Sequence, residues 1–75
     1  MQIRNDEIAQ KFDRLADFLE IEGANPFRVR AYRNAARTIS GLARCVSELI
    51  EEGTQLTSLP GIGKELAEKI QEVAR

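Results

Sequence analysis

Leu59-Pro60-Gly61-Ile62-Gly63-Lys64 is the stretch that decides the fold, and it leads directly into a helical pattern over residues 65–74. Pro60 cannot continue a preceding helix, and glycines accept positive φ without steric cost, so the chain must turn sharply here. The first N–H groups of the following helix lack partners within it and lie at the positive end of its dipole. The turn is therefore expected to present hydrogen-bond donors to an anion. After it, one apolar stripe is formed by Leu66, Ala67, Ile70, Val73 and Ala74.

A purely structural interpretation of this turn is also open, because a Gly-x-Gly turn before a helix often only separates two helices. If the turn does bind phosphate, Ile62 is expected to anchor it in the core while the backbone of Gly61, Gly63 and Lys64 faces outward. LPGIGKELAEKI, residues 59–70, closely resembles the helix-hairpin-helix motif of DNA-binding proteins. That resemblance implies that backbone amides of the hairpin hold a DNA phosphate without reading base sequence.

Length and composition restrict the class of protein. The chain has 75 residues, enough for one domain, and its 43% hydrophobic content with few aromatic residues is typical of a small helical bundle with an aliphatic core. Cys45 is the only cysteine and cannot form an internal disulfide, and the absence of histidine excludes a Cys/His zinc site. No apolar run approaches the length of a membrane span. A reducing cytoplasm is the expected location.

The formal net charge of −1 is distributed unevenly along the chain. Residues 1–22 carry three basic and six acidic groups, residues 23–47 carry five arginines and no acid, and residues 48–75 again carry three basic and six acidic groups. Arginine is the cation whose planar fork suits phosphate oxygens. The middle segment is therefore expected to bind a polyanion, although a charge run is more often only a solvated face.

The first two helices have clear start and stop signals. Asn5 is expected to cap the first helix and Gly23 to end it, while Asn25-Pro26 begins the second. Phe18 and Ile21 lie off the inward stripe of the first helix and are expected to meet the second helix or, in a longer protein, a neighbouring domain. The inward stripes are Ile8, Phe12, Leu15, Ala16 and Leu19 in the first helix, and Tyr32, Ala35, Ala36, Ile39 and Leu42 in the second.

The second helix also has a predicted cationic face. Arg30, Arg33 and Arg37 are spaced i, i+3 and i+7, so they lie on one side of the helix, away from the packing stripe. We expect this face to contact DNA phosphates.

The remaining segments are shorter. A third helix is predicted from Cys45, expected to be a small core residue, to Gly53, and Thr54 is expected to cap a single turn over residues 55–58 that serves as the first helix of the hairpin. No β-alternation is present. The predicted architecture is all-α, a small bundle of four to five short helices containing one helix-hairpin-helix motif.

Two separated segments, NPFRVRAYRNAARTI (residues 25–39) and LPGIGKELAEKI (residues 59–70), look like the N-terminal domain of family X DNA polymerases, the bacterial and archaeal relatives of polymerase beta. The resemblance implies one domain over residues 1–75, acting as a monomer and cut from a larger polymerase. It implies binding of gapped DNA and its 5′-phosphate in gap filling and base excision repair. The nucleotidyl-transfer aspartates that hold divalent metal in that family are absent from this sequence, and are expected in the rest of the parent chain.

The resemblance also implies a second activity of some members, removal of 5′-deoxyribose phosphate through a Schiff base. The family's nucleophilic lysine matches Lys69, its aromatic residue matches Tyr32, and its upstream cation is matched by Arg28. Glu65 replaces a second lysine of the lyase-active relatives, and Phe27 replaces a histidine. Pairs of Lys69 with Glu65 and with Glu72 would stabilise the ammonium form, which cannot attack.

Finally, the relatives bind a monovalent cation through hairpin carbonyls. The matching positions are Thr57, Leu59 and Ile62, so the resemblance implies Na⁺ or K⁺ there and no other cofactor in this domain. Two other classes remain open from the residues alone. One is a non-enzymatic bundle whose arginines bind an acidic protein, and the other is a stand-alone DNA adaptor.

Overall fold

A computed structural model describes residues 4–74 of the chain, and all the regular structure in that range is helical. The helices are α1 (Asn5–Ile21), α2 (Pro26–Ser40), α3 (Val46–Glu51) and α4 (Lys64–Ala74), with a short 3₁₀ helix, Leu56–Ser58, between α3 and α4. The predicted all-α bundle of four to five short helices is confirmed. No helix within the described range is both long and apolar enough to cross a membrane.

The connection between α1 and α2 follows the sequence signals. Gly23 has φ +76°, and the amides of Gly23 and Ala24 donate to carbonyls of the last turn of α1, the pattern of a Schellman motif. The Oδ1 atom of Asn25 then accepts a 2.8 Å hydrogen bond from the amide of Phe27, with Pro26 in the first turn of α2. Both predicted boundaries are confirmed, and the two helices they define pack on each other more extensively than any other pair.

The prediction that Asn5 caps α1 is wrong. Arg4 occupies the N-cap position without a side-chain capping bond. The side chain of Asn5 instead donates to the carbonyl of Arg44 and accepts from the amide of Val46, both at 2.8 Å. Because an amide side chain is both donor and acceptor, Asn5 can satisfy the backbone on either side of Cys45 and hold the start of α3 against α1.

The core contains the predicted stripes. The rings of Phe12 and Tyr32 meet at its centre with centroids 5.7 Å apart, and Leu15, Leu19 and Leu42 pack at its edge. The core residues that are less than 10% exposed are Ile8, Ala9, Phe12, Ala16, Val29, Tyr32, Ala35, Ala36, Ile39, Val46, Leu56, Ile62, Leu66, Ala67 and Ile70, and Ser47 is the one polar residue with the same degree of burial among residues 4–74.

Two of three local expectations need correction. For the third, Phe18 and Ile21 are 58% and 84% exposed, so they are not buried against α2, and contact with a neighbouring domain stays a prediction. Cys45 is half-buried at the N-cap of α3 and lies outside the core. The turn before the hairpin exists, but its N-cap is Gln55, while the amide of Thr54 closes the end of α3 through the carbonyl of Leu49.

Candidate nucleic-acid interface

The hairpin between the 3₁₀ helix and α4 is a tight turn. The amide of Ile62 donates to the carbonyl of Leu59 at 3.1 Å, which closes a four-residue turn with Pro60 in its second position. Gly61 occupies the third position with φ +75°, the combination that defines a type II turn. A side chain at Gly61 would be strained by about 1–2 kcal/mol, because L-residues disfavour this region.

Ile62 anchors the turn as predicted. Its side chain is buried, whereas Gly61 and Gly63 on either side of it are exposed. A second attachment comes from α2, where the hydroxyl of Thr38 donates to the carbonyl of Pro60 at 3.2 Å. Ile62 therefore fixes the turn to the core and Thr38 fixes it to α2, while the two glycines remain exposed.

The first turn of α4 presents unused donors. The carbonyl of Gly63 accepts from the amide of Ala67 at 2.9 Å, which makes Gly63 the N-cap residue. Glycine has no side-chain oxygen to cap the helix, in contrast to Asn25 at the start of α2. Within residues 4–74, no acceptor is bonded to the amides of Gly63, Lys64, Glu65 or Leu66. These donors lie at the positive end of an 11-residue helix, where an anion is favoured.

Among residues 4–74, Arg28 is the arginine of α2 that forms an ion pair with α4. The Nη2 atom of Arg28 lies 3.1 Å from Oε1 of Glu65, and the two side chains are 54% and 70% exposed. Lys64, the residue before Glu65, is also exposed. The structure thus brings together two cations, one carboxylate and the free amides at the mouth of the hairpin.

Arg33 is directed elsewhere. Its guanidinium lies 2.8 Å from Asp17, 3.4 Å from Glu20 and 4.0 Å from Asp13, all on α1. The hydrogen bond with Asp17 is the main reason that the pKa of Arg33 is raised above its ordinary value. The predicted cationic face of α2 is therefore interrupted, because acids of the neighbouring helix neutralise its central residue.

The other arginines of the middle segment also differ from one another. Arg44 pairs with Glu52 and Glu48 of the α3 segment, and its hydrogen bond with Glu52 raises the pKa of Arg44. The guanidinium of Arg30 lies 5.7 Å from the ring centroid of Phe27, a cation–π contact. Arg37 has no ion pair within the described residues, and it lies about 180° around α2 from Arg28. The five arginines do not form one continuous patch.

Within residues 4–74, no hydrogen bond or ion pair joins Arg28, Tyr32 and Lys69, the residues of the expected lyase site. The Nζ atom of Lys69 lies 3.2 Å from Glu72 and the side chain is 37% exposed, so that expected pair is confirmed. The expected pair with Glu65 is wrong, since Glu65 contacts Arg28 instead. Tyr32 is 4% exposed, with its ring packed on Phe12.

The backbone carbonyl oxygens expected to bind a monovalent cation have lone pairs that are free to do so. Leu59 accepts one hydrogen bond, from the amide of Ile62, which leaves it a second lone pair. The carbonyls of Thr57 and Ile62 accept none within residues 4–74. Backbone oxygens of this kind are the ligands that hard cations prefer.

Phe27 belongs to this site, although no binding role was predicted for it from the sequence. Phe27 is 75% exposed next to Arg28, at the end of α2 that faces the start of α4. An exposed aromatic side chain beside a cation can stack on a nucleic-acid base. The signal in the sequence was the aromatic residue directly after Asn25-Pro26, in the first turn of a helix and outside its apolar stripe.

Comparison with known proteins identifies the fold. A family model described as a helix-hairpin-helix domain matches residues 3–75, so the chain belongs to the helix-hairpin-helix domain family. Over 58 residues it is 36% identical to the DNA polymerase/3′-5′ exonuclease PolX of Bacillus subtilis (strain 168). The aligned part is 77% of this chain and 10% of PolX, so the chain spans only a small part of that relative's length. The resemblance to a family X polymerase domain is confirmed.

Proposed function

We propose that this chain is the DNA-binding domain of a family X DNA polymerase and that it holds gapped DNA through phosphates, without sequence specificity, in DNA repair synthesis. The observation that carries the proposal is the set of free amides over residues 63–66, next to an exposed glycine turn that is fixed to the core. Backbone donors at a helix N-terminus suit a phosphate and carry no information about bases.

The charges at the hairpin mouth support the same function. Lys64 and Arg28 both lie beside the free amides, so a phosphate there would meet two cations as well as the helix dipole. Arg30 and Arg37, which have no acid partner among residues 4–74, lie on the opposite side of α2 from Arg28 and form a separate positive surface. Arg33 contributes less, because its charge is already neutralised by α1.

A 5′-phosphate at the gap is the proposed specific ligand. Arg28 and Lys69 supply charge-assisted hydrogen bonds, and the hydroxyl of Tyr32, a residue that is 4% exposed, supplies a further one. Phe27 stacks on an unpaired or terminal base beside that phosphate. The carbonyls of residues 57, 59 and 62 would hold a Na⁺ or K⁺ ion, whose positive charge would favour a phosphate nearby.

The parent protein is proposed to contain the polymerase domains, with their divalent metal site, and to act in the cytoplasm as a monomer. The PolX relative, of which this chain matches 10%, supports a longer polymerase chain. A lyase acting through Lys69 is a second candidate, favoured by the half-exposed amine one to two turns along α4 from the hairpin. Its attack on the sugar aldehyde would form an imine and release water.

Titration of fluorescently labelled DNA tests the main proposal. Three ligands are compared at several salt concentrations: a gap with a 5′-phosphate, the same gap with a 5′-hydroxyl, and intact duplex. We expect affinity to fall linearly on a log–log plot as salt rises, with a slope of about −0.9 for each phosphate contact. The 5′-phosphate gap should bind most tightly.

Three results would contradict the proposal in different ways. Absence of binding at low salt would rule out DNA binding itself, and affinity that is independent of salt would rule out binding through phosphates. Equal affinity for the 5′-phosphate gap and the 5′-hydroxyl gap would be consistent with DNA binding but would show that the domain has no pocket for the 5′-phosphate. A Phe27→Ala arm in the same titration tests stacking, which contributes about 1–3 kcal/mol for each base.

A further inference from the structure

The contact between Glu65 and Arg28 places a carboxylate inside the proposed phosphate site. Glu65 is the second residue of α4, among the four amides that have no acceptor in the described part of the chain. The Oε1 atom of Glu65 lies 3.1 Å from the Nη2 atom of Arg28. The carboxylate and an incoming phosphate would therefore compete for one cation.

We propose that Glu65 is an affinity-limiting residue of this site: it occupies Arg28 in the free domain and must release it when a 5′-phosphate binds. The inference rests on the proposed function, which supplies the phosphate. It assigns a role to a residue that takes no direct part in binding. The role is opposite in sign to that of Lys64, its neighbour along the chain.

The charges of the two ligands show why Arg28 can leave Glu65 for a phosphate. A terminal phosphate carries a charge of about −1.5 to −2 at pH 7 and offers three acceptor oxygens, whereas Glu65 offers a single negative charge. Both side chains of the pair are more than half exposed, so the pair is weak and screened by salt. Arg28 can therefore exchange its carboxylate partner for the phosphate.

The alternative role for Glu65 is that it positions Arg28 for binding. The two roles predict opposite effects of removing the charge. Glu65→Gln should strengthen binding to the 5′-phosphate gap by about two- to fivefold at low salt if Glu65 competes, the range spanned by exposed ion pairs. If Glu65 positions Arg28, the same substitution should weaken binding.

Glu68→Gln is the matched control. Glu68 lies three residues further along α4, is exposed, and has no ion pair within residues 4–74, so the substitution changes the net charge equally without touching Arg28. The gain from Glu65→Gln should exceed that from Glu68→Gln, should be larger for the 5′-phosphate gap than for the 5′-hydroxyl gap, and should disappear when Arg28 is replaced by alanine. Circular dichroism on each variant checks that α4 is retained.

The results separate failure of the role inferred for Glu65 from failure of the proposed function. Equal gains from the two glutamine variants, a gain that persists in Arg28→Ala, or weaker binding by Glu65→Gln would overturn the inference while the wild-type domain still binds DNA. Failure of every variant and of the wild type to bind DNA would instead overturn the proposed function, and the inference with it.

Discussion

The hydroxyl of Thr38 donates a 3.2 Å hydrogen bond to the carbonyl of Pro60, and this contact joins α2 directly to the hairpin turn. The same helix carries Arg28, whose guanidinium contacts the first turn of α4. α2 therefore contacts both the hairpin turn and the start of α4.

Removing that hydroxyl should loosen the turn. Thr38→Val keeps the shape of the side chain but leaves the carbonyl of Pro60 without this donor, and we expect a loss of about 0.5–1.5 kcal/mol in the free energy of unfolding. DNA binding should weaken as well. Thr38→Ser retains a hydroxyl and should restore most of both, as measured by urea denaturation and DNA titration. Unchanged binding by a folded Thr38→Val variant would show that the contact does not position the turn.

The two glycines of the hairpin should respond differently to alanine. Gly61 has a positive φ, so Gly61→Ala should destabilise the domain by about 1–2 kcal/mol. Gly63 does not have a positive φ, and a Cβ atom built there meets no atom within 4 Å, so Gly63→Ala should fold with nearly wild-type stability. Thermal denaturation followed by circular dichroism measures both.

Gly63 therefore allows binding to be separated from folding. Gly63→Val should keep α4 but cover the free amides of residues 63–66, and DNA binding should fall strongly. A folded Gly63→Val variant with wild-type affinity would contradict phosphate binding at these amides. It would favour the interpretation in which the turn only separates two helices.

Asn5 should be important for stability although it is not a helix cap. Asn5→Ala removes both hydrogen bonds to the backbone around Cys45 and leaves the part-buried amide of Val46 without its acceptor, at an expected cost of about 1–3 kcal/mol. Gln10→Ala, at an exposed position on the same helix, should stay within about 0.5 kcal/mol of wild type. Equal stability of the two variants in urea denaturation would show that the contact does not hold α3.

Arg28 and Arg33 provide a matched pair for the electrostatics of α2. Arg28→Gln removes a cation at the hairpin, so DNA affinity should fall and the salt slope should decrease by about 0.9. Arg33→Gln removes the same charge, but its guanidinium contacts three acids of α1, so it should lower the melting temperature slightly and leave the salt slope nearly unchanged. Equal reductions in slope would mean that Arg33 leaves α1 to contact DNA.

The lyase hypothesis can be tested by covalent trapping. Borohydride reduces a Schiff base to a stable amine, so incubation with incised abasic DNA should trap a complex that depends on Lys69. Lys69→Ala should abolish trapping, and Lys64→Ala should retain it, although with weaker DNA binding. If trapping persists in Lys69→Ala, the nucleophile is another amine, and if the wild type gives none, the domain is a binding module.

Local signals predicted the helices well. The Asn25-Pro26 start, the Gly23 stop and the proline-glycine turn each depend on the conformational preferences of adjacent residues, and the structure confirms all three. Ile62 was predictable for the same reason. A single apolar residue between two glycines has to be buried if the turn is to be fixed.

The ion pairs of the arginines were harder to predict, because their acidic partners are distant in sequence. Arg33 lies 13 and 16 residues from Glu20 and Asp17, and Arg28 lies 37 residues from Glu65. A count along the chain therefore showed a positive segment between two negative ones, whereas folding pairs part of that positive charge with acids of the flanking segments. The role of Asn5, 39 and 41 residues from its partners, was missed for the same reason.

The burial of Ile62 has a thermodynamic consequence. Because the turn is anchored in the core, it cannot open without exposing apolar surface, so local unfolding of the hairpin should coincide with global unfolding of the domain. A ligand held by the hairpin amides then stabilises every helix, by RT ln(1 + [L]/Kd) for one site. Gapped DNA at a hundred times its Kd should add about 2.7 kcal/mol to the free energy of unfolding, and amides far from the DNA should exchange their hydrogens more slowly with solvent.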